Sequence, residues 1–195
     1  MEVPDQPPAA PLGLLRRWLD EATVPGGDPP AAVLATVGRD GRPTTRAVEV
    51  RGCDDRGLVF FANLNSRKGR DLRGHPVAAA TFYWPATMCQ LNLTGDVRFT
   101  GPAESDRLWA TRSPAGQAVA TVSEQGAPLP DEATLRIRVA ALGAPGRPLP
   151  RPPDHGGFVL APATVEFWQG CQDRIHRRLH YQRDGRDWSH WLLQP

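Results

Sequence analysis

The chain has 195 residues, of which 40% are hydrophobic and 23% are charged, so its length and composition fit one globular domain. Its 21 prolines and 19 glycines together stay below the share that is typical of low-complexity or collagen-like chains. A formal net charge of only +2 argues against a nucleic-acid-binding protein, whose surface is usually strongly basic.

The beginning of the chain divides into a proline-rich segment and a helix. Residues 1–11 are rich in proline and are expected to be flexible, whereas residues 12–195 are expected to form a single domain. Apolar residues from Leu12 to Leu19 recur at helical spacing, and the glycine- and proline-rich stretch 25–30 is expected to end that helix.

Most of the remaining elements are predicted to be short strands. Runs of alternating or β-branched residues predict strands at 32–37, 44–51, 58–61, 77–84, 89–99, 158–160, 164–168, 174–183 and 188–193. Helices are predicted from a Ser66 cap to Leu72, and at 102–112 and 131–142. Antiparallel strands with a few helices indicate the α+β class, mainly β, and favour a small β-barrel over a βαβ fold.

The cysteines and the apolar runs bear on where the protein works. Cys53, Cys89 and Cys171 are widely separated, so we expect neither a disulfide framework nor a metal site, and a reducing cytoplasm is the expected location. No apolar run approaches the ~18 residues that a membrane span needs, and the N-terminus lacks the pattern of a signal peptide. We therefore expect no membrane partner.

The strongest local signal is the stretch 66–70, which reads Ser-Arg-Lys-Gly-Arg and follows a predicted strand. Backbone N–H groups of a first helical turn, joined by a hydroxyl and the cations Arg67 and Lys68, suit a phosphate. Arg46 lies on a neighbouring predicted strand and could reach the same place. The alternative is a solvated basic turn. Lys68 is also the single lysine among 23 basic residues.

A second signal lies in the predicted strand 174–183. Side chains alternate between the faces of a strand, so Arg174, His176, Arg178 and His180 would line one face. Such a row suggests a site for an anionic ligand, with His176 able to titrate near neutral pH. The alternative is a solvent-facing strand, and a zinc site is disfavoured because no third ligand is evident.

At these residues the sequence resembles the pyridoxamine 5′-phosphate oxidase family, the FMN-dependent split barrels, from about Leu14 to Pro195. The matching motifs are Arg46 with Val48 and Arg51, the stretches 60–63 and 66–68, Gln90, the stretch 123–125, and the stretches 166–170 and 174–178. The resemblance implies an FMN-binding split β-barrel that forms a homodimer, with FMN at the subunit interface.

The resemblance also implies roles for particular residues. Phosphate contacts would come from Arg46, Arg67 and Lys68. Further flavin contacts would come from Val48, Phe61, Ala62, Gln90, Gln125, Trp168 and Arg178, some of them from the partner subunit. Arg174 and His176 would flank the substrate over the flavin and take the catalytic roles.

Departures from the family bear on the substrate. In the vitamin B6 oxidases a lysine, a tyrosine, an arginine and a serine hold the substrate phosphate, and the corresponding positions here read Arg51, Leu108, Arg112 and Gly116. Loss of two hydroxyl donors would weaken phosphate binding by several orders of magnitude at ~1.5–3 kcal/mol each. Arg51 and Arg112, together with Arg174 and His176, are the expected substrate-binding residues.

The retained flavin motifs and the altered phosphate pocket are similar to the phenazine-biosynthesis branch of the family. The sequence therefore predicts an FMN-dependent oxidase that dehydrogenates a reduced, nitrogen-containing and carboxylated ring, with O2 as the electron acceptor. One alternative is a pyridoxamine/pyridoxine 5′-phosphate oxidase with an altered phosphate pocket. The other is a split barrel that binds flavin without catalysis.

Overall fold

The computed structural model describes residues 1–23, 30–142 and 148–195, which contain five α-helices and eight β-strands. The helices are α1 (Leu12–Ala22), α2 (Arg67–Gly74), α3 (Pro102–Ala110), α4 (Pro114–Val122) and α5 (Glu132–Leu142). The strands are β1 (Ala31–Val37), β2 (Pro43–Asp54), β3 (Gly57–Asn63), β4 (Val77–Trp84), β5 (Cys89–Phe99), β6 (His155–Gln169), β7 (Arg177–Asp184) and β8 (Asp187–Leu193). None of these helices is both long enough and apolar enough to span a membrane.

The strands form one antiparallel sheet that closes on itself. Its order is β3-β2-β1-β4-β5-β6-β7-β8, and an additional pairing of β3 with β6 joins the first six strands into a barrel. The residues 155–160 of β6 pair with β3, and the residues 164–169 pair with β7, which carries β8 at the outer edge. The predicted α+β barrel is confirmed.

The core fills the barrel and continues under α1. Alternating side chains of the strands point inward, so that residues such as Phe60, Leu91 and Phe167 are fully buried. Trp18 of α1 is also fully buried and contacts Phe167 edge to face, with 5.1 Å between ring centroids. Helix α1 therefore covers one side of the same core.

The N-terminal segment lies along β6 and β7. Val3 is buried and its N–H donates to Oε1 of Gln169 at 2.9 Å. The hydroxyl of Tyr181 donates to the carbonyl of Pro8, also at 2.9 Å. The flexibility of residues 1–11 stays a prediction. The two hydrogen bonds and the burial of Val3 would restrict such motion.

The structure differs from the predicted elements in three places. The predicted strands 158–160 and 164–168 are one strand, because a bulge between β5 and β6 absorbs the irregularity around Pro162. Helix α4 was not predicted, although Ser113 caps it by accepting from the N–H of Gly116 and Pro114 opens it. The third difference, at the start of β7, concerns the site and is described below. Apart from Pro30, the predicted helix-ending stretch 25–30 lies outside the described residues.

Candidate functional site

The first turn of α2 places a buried lysine in a polar pocket. Ser66 caps the helix, its hydroxyl accepting from the N–H of Gly69, as the sequence predicts. Only 8% of Lys68 is exposed, and its Nζ donates to Oγ of Ser66 and to Oε1 of Gln125, both at 3.1 Å. An ammonium has three protons to donate, and within the described ranges the third has no acceptor.

Arg46 of β2 is held in a fixed position beside this turn. Its guanidinium donates to the carbonyl of Leu34 at 3.1 Å, to Oγ1 of Thr36 at 2.8 Å and to Oγ1 of Thr44 at 2.6 Å. The buried carboxylate of Asp71 accepts from Oγ1 of Thr36 at 2.7 Å and lies 3.9 Å from Nη2 of Arg46. Asp71 and the two threonines thus orient Arg46.

Burial and repulsion between neighbouring cations lower pKa values in this region. Burial and, to a smaller extent, the nearby charge of Arg46 lower the pKa of Lys68 to about 8. Burial also lowers the pKa of Arg46, which the charge of Asp71 opposes and that of Arg67 reinforces. We call Arg46, Arg67 and Lys68 the cationic cluster. Among the described residues the carboxylate beside this cluster is Asp71, 3.9 Å from Arg46, and Lys68 has no carboxylate partner, so the cluster is suited to an anion.

The cationic cluster borders an open cleft of about 360 Å³. Six predicted site residues line it, namely Val48, Phe61, Ala62, Lys68, Arg112 and Gln125. Seven other residues line it as well, namely Ala47, Glu49, Asn63, Val119, Ala120, Ser123 and His155. The structure thus brings six predicted residues together in one cleft, whereas Arg51 lines a separate recess.

Arg112 lies in the cleft between aromatic rings. Its guanidinium carbon is 5.8 Å from the ring centroids of both Phe61 and Trp109, and Nη2 donates to the carbonyl of Gly116 at 3.3 Å. Its Nε is buried and has no hydrogen-bond partner among the residues that the structure describes. Burial lowers the pKa of Arg112, and the charge of Arg51 lowers it further.

Arg51 also has a buried Nε without a hydrogen-bond partner among the described residues. Its Nη2 donates to Oε2 of Glu49 at 2.6 Å. Leu108 lies in the same recess as Arg51 and offers no polar group. Buried donors are nearly always paired in folded proteins. The cleft at Arg112 and the recess at Arg51 thus each contain a donor that a ligand accepting hydrogen bonds would pair.

Predicted residues of β5, β6, β7 and the turn before β7 form a separate group. Gln90 of β5 pairs in register with Trp168 of β6, which pairs with Arg178 of β7. The ring of His176 lies against Trp168, with 4.7 Å between centroids. Arg178 already has a carboxylate partner, because Nε and Nη2 donate to the two oxygens of Glu166 at 2.8 and 3.1 Å.

The predicted row of four side chains on one strand face is wrong. β7 begins at Arg177, so Arg174 and His176 precede it in a turn, and only Arg178 and His180 of the row lie in the strand. The turn forms because Asp173 accepts from the N–H of Ile175 through Oδ1 at 2.9 Å, and Arg174 takes a left-handed conformation with φ of 69°.

Within one chain the two groups lie at opposite ends of β6. Phe61, from the cleft, pairs with Gly157, whereas Gln90 pairs with Trp168. Eleven residue steps along one strand lead from Gly157 to Trp168, which corresponds to at most about 36 Å of strand at ~3.3 Å per residue. A ligand of nucleotide size cannot contact both groups of a single copy of the chain.

Two family models match this chain, one over each part of it. Residues 20–145 match the family model described as pyridoxamine 5′-phosphate oxidase. Residues 155–195 match the model described as the pyridoxine 5′-phosphate oxidase C-terminal dimerisation region. The chain belongs to the pyridoxamine 5′-phosphate oxidase family, and the second match supports a homodimer.

Individual relatives carry two different activities. The chain is 42% identical over 192 residues to the dihydrophenazinedicarboxylate synthase of Burkholderia lata, covering 98% of this chain and 91% of the relative. It is 44% identical over 185 residues to a pyridoxine/pyridoxamine 5′-phosphate oxidase of Burkholderia multivorans, covering 94% and 86%. Overall identity therefore does not separate the two activities.

Solved structures agree with the fold. The crystal structure of PhzG from Burkholderia lata in complex with tetrahydrophenazine-1-carboxylic acid superposes with a TM-score of 0.92 at 42% identity, covering 98% of this chain and 95% of that one. A pyridoxamine 5′-phosphate oxidase-related, FMN-binding protein from Nostoc punctiforme superposes with a TM-score of 0.77 at 21% identity, which supports the fold alone.

Some residues of the cleft escaped prediction from the sequence. Asn63 was named only within the stretch 60–63 and given no role. His155 was not singled out, because β3 and β6 are far apart in the chain and meet only where the barrel closes. The single available signal for His155 was its position directly before the pair Gly156 and Gly157, which indicates close backbone packing but no chemistry.

Lys68→Met is expected to make the ligand-free protein more stable at pH 7. The pKa of Lys68 is about 8 in the folded chain, against an ordinary value of 10.5, so between these values the unfolded chain binds more protons and stability rises with pH. Replacement by Met removes the cost of burying the charge below pH 8. Denaturant unfolding at pH 7 and pH 10 should show the advantage of the variant shrinking at the higher pH, and a variant that is less stable by the same amount at both would contradict this.

Proposed function

We propose that this protein is an FMN-dependent oxidase that dehydrogenates a reduced, nitrogen-containing and carboxylated ring. The observation that carries the proposal is the buried ammonium of Lys68 beside Arg46 and Arg67, without a carboxylate to pair with Lys68 in the described ranges. A phosphate at the first turn of α2 would meet this cationic cluster, the hydroxyl of Ser66 and the positive end of the helix dipole.

The residues of the cleft fit FMN as the cofactor. The cationic cluster would hold the phosphate, and Val48, Phe61, Ala62 and Gln125 would lie beside the rest of the molecule. Bound FMN would supply a two-electron acceptor that O2 can reoxidise. The chain's own part is to hold that cofactor, to exclude water from the cleft and to orient the substrate.

A complete site requires two copies of the chain. Gln90, Trp168 and Arg178, the other expected flavin contacts, lie about 36 Å along β6 from the cleft in the same chain. They can meet the cleft of a second copy, and the dimerisation region that matches residues 155–195 contains Trp168 and Arg178. The functional unit is therefore a homodimer with the cofactor at its interface.

The unpaired arginine donors favour a carboxylated substrate. Arg51 and Arg112 each keep a buried Nε without a partner in the described residues, and guanidinium groups bind carboxylates well. Leu108 and Gly116 supply no hydroxyl, so a phosphate, with three acceptor oxygens, would find fewer donors here than it needs, whereas a carboxylate has only two oxygens to satisfy. PhzG of Burkholderia lata binds a carboxylated tetrahydrophenazine.

Arg174 and His176 would contact the same substrate from the second copy. The turn that carries them follows the end of β6, and a tilted contact with Trp168 holds the ring of His176. Arg174 makes no ion pair within the described ranges, so its charge is available to a carboxylate. The proposal places this chemistry in the cytoplasm, with a small molecule and O2 as partners.

A pyridoxine/pyridoxamine 5′-phosphate oxidase is the second candidate. The observation in its favour is the 44% identity to the enzyme of Burkholderia multivorans. Arg112 and the charge of Arg51 would then hold the substrate phosphate without hydroxyl donors from Leu108 and Gly116.

Lys68→Met is expected to weaken FMN binding at least tenfold, because a charge-assisted contact to phosphate contributes ~1.5–3 kcal/mol. Flavin fluorescence quenching on titration with the protein measures the dissociation constant. Arg70→Ala and Arg73→Ala are the matched controls, because these guanidinium groups donate to the backbone carbonyls of Asn65 and Leu64 rather than into the cleft. Equal losses in all three variants would rule out a phosphate site at Lys68.

The substrate class is tested by anaerobic reduction of the FMN-loaded protein. We expect a carboxylated dihydrophenazine or tetrahydrophenazine to bleach the flavin absorbance rapidly, and pyridoxamine 5′-phosphate to bleach it slowly. Arg112→Met should raise the concentration of the carboxylated substrate needed for half-maximal rate by tenfold or more, because it removes the guanidinium. Rapid bleaching by pyridoxamine 5′-phosphate alone would establish the second candidate instead.

A further inference from the structure

His155 lines the cleft, and none of the roles described so far belongs to it. It opens β6, is 6% exposed and lines the same cleft as Lys68 and Arg112. Its ring lies nearly parallel to Phe61, with 6.1 Å between centroids and 23° between planes, and edge-on to Trp109 at 5.7 Å. Aromatic contacts on two sides fix the ring in place.

The neighbouring carboxylate determines which nitrogen of His155 carries the proton. Nδ1 lies 3.1 Å from Oδ1 of Asp154, and a carboxylate can only accept, so we assign the proton to Nδ1. Asp154 is fixed in turn, because Nδ2 of Asn63 donates to its Oδ2 at 3.0 Å and the N–H of Leu64 donates to its carbonyl at 2.6 Å. Nε2 is left with a free lone pair, and no group in the described ranges donates to it.

The surroundings keep this imidazole neutral. Burial lowers the pKa of His155, Asp154 opposes the shift, and the charges of Arg112 and Lys68 reinforce it. Asp154 belongs to its own segment, Arg112 follows α3 and Lys68 lies on α2. Arg151 is also close, donating to the backbone carbonyl of His155 at 2.6 Å, and Glu49 lines the same cleft. Lys68 and Arg112 can only donate hydrogen bonds, so Nε2 offers this part of the cleft a neutral acceptor.

We propose that Nε2 of His155 accepts a hydrogen bond from a ring N–H of a planar nitrogen heterocycle bound in the cleft, with Asp154 as its positioning residue. The inference rests on the proposed function, because oxidised flavin and a reduced nitrogen-containing ring both carry such an N–H. Their shared chemistry is a flat ring beside Phe61 that directs an N–H at the imidazole.

Two substitutions separate the hydrogen bond from packing. His155→Phe keeps a ring against Phe61 and Trp109 but removes both nitrogens, whereas His155→Gln keeps an acceptor at the end of the side chain. His75→Phe is the control, because His75 is an exposed histidine outside the cleft. The measurements are the FMN dissociation constant, by fluorescence, and KM for a tetrahydrophenazine carboxylate at saturating FMN.

His155→Phe is expected to weaken one ligand about three- to tenfold, as the loss of one neutral hydrogen bond does, with His155→Gln within about twofold of wild type. A higher FMN dissociation constant identifies flavin as the donor, and a higher KM alone identifies the substrate. The inference is overturned if both constants stay within about twofold in His155→Phe, or if Gln loses as much as Phe.

The wild-type protein provides a test that does not depend on folding of the variants. In protein with 15N-labelled histidine, the Nε2 resonance of His155 should shift when FMN or the reduced ring is added, because a lone pair that accepts a hydrogen bond changes its shielding. No shift with either ligand bound would overturn the inference. A wild-type protein that binds no FMN would instead overturn the proposed function itself.

Discussion

The burial of the charged Lys68 ammonium is the constraint on which the candidate site depends. Burial and the neighbouring charge of Arg46 lower its pKa to about 8, so the ligand-free fold carries a charge at neutral pH that it stabilises poorly. An anion bound in the cleft would offset both the burial of the ammonium and its repulsion by Arg46. The fold therefore gives up stability in the empty protein, and an anionic ligand would restore it.

The barrel supplies the geometry that this charge requires. Pairing of β1 with β2 brings Arg46 opposite Leu34, and Asp71 of α2 reaches back to orient it through Thr36 and Thr44. The cap at Ser66 then points the first turn of α2 toward the same place. Three elements that are separate in the chain are thus fixed to one another by hydrogen bonds that are partly or fully buried.

The length of β6 imposes the second constraint. The strand closes the barrel against β3 at one end and carries β7 at the other, so the cleft and the group around Trp168 cannot meet within one chain. Association of two copies is then part of the site rather than an addition to it. Exposed apolar side chains also support the association of two copies, because Leu192 of β8 and Ile175 remain largely exposed.

What the sequence could predict was mostly local. The cap at Ser66 and the turn with Lys68 depend on adjacent residues, and β4 and β5 were predicted with the bounds that the structure has. The turn at Arg174 was missed because its alternating pattern resembles a strand, and a hydrogen bond to Asp173 decides otherwise. His155 could not be predicted, since its neighbours come from distant parts of the chain.

Mixed dimers test the central claim most directly, namely that each complete site takes its two halves from two chains. One chain carries Lys68→Met and the other Arg178→Ala, and differently tagged copies are co-expressed so that the mixed dimer can be purified. If the halves come from two chains, one site combines both substitutions and the other has neither, so the mixed dimer should bind one FMN per dimer with wild-type affinity. If each chain builds its own site, both sites are damaged, and the absence of any wild-type-affinity site in the mixed dimer would contradict the account.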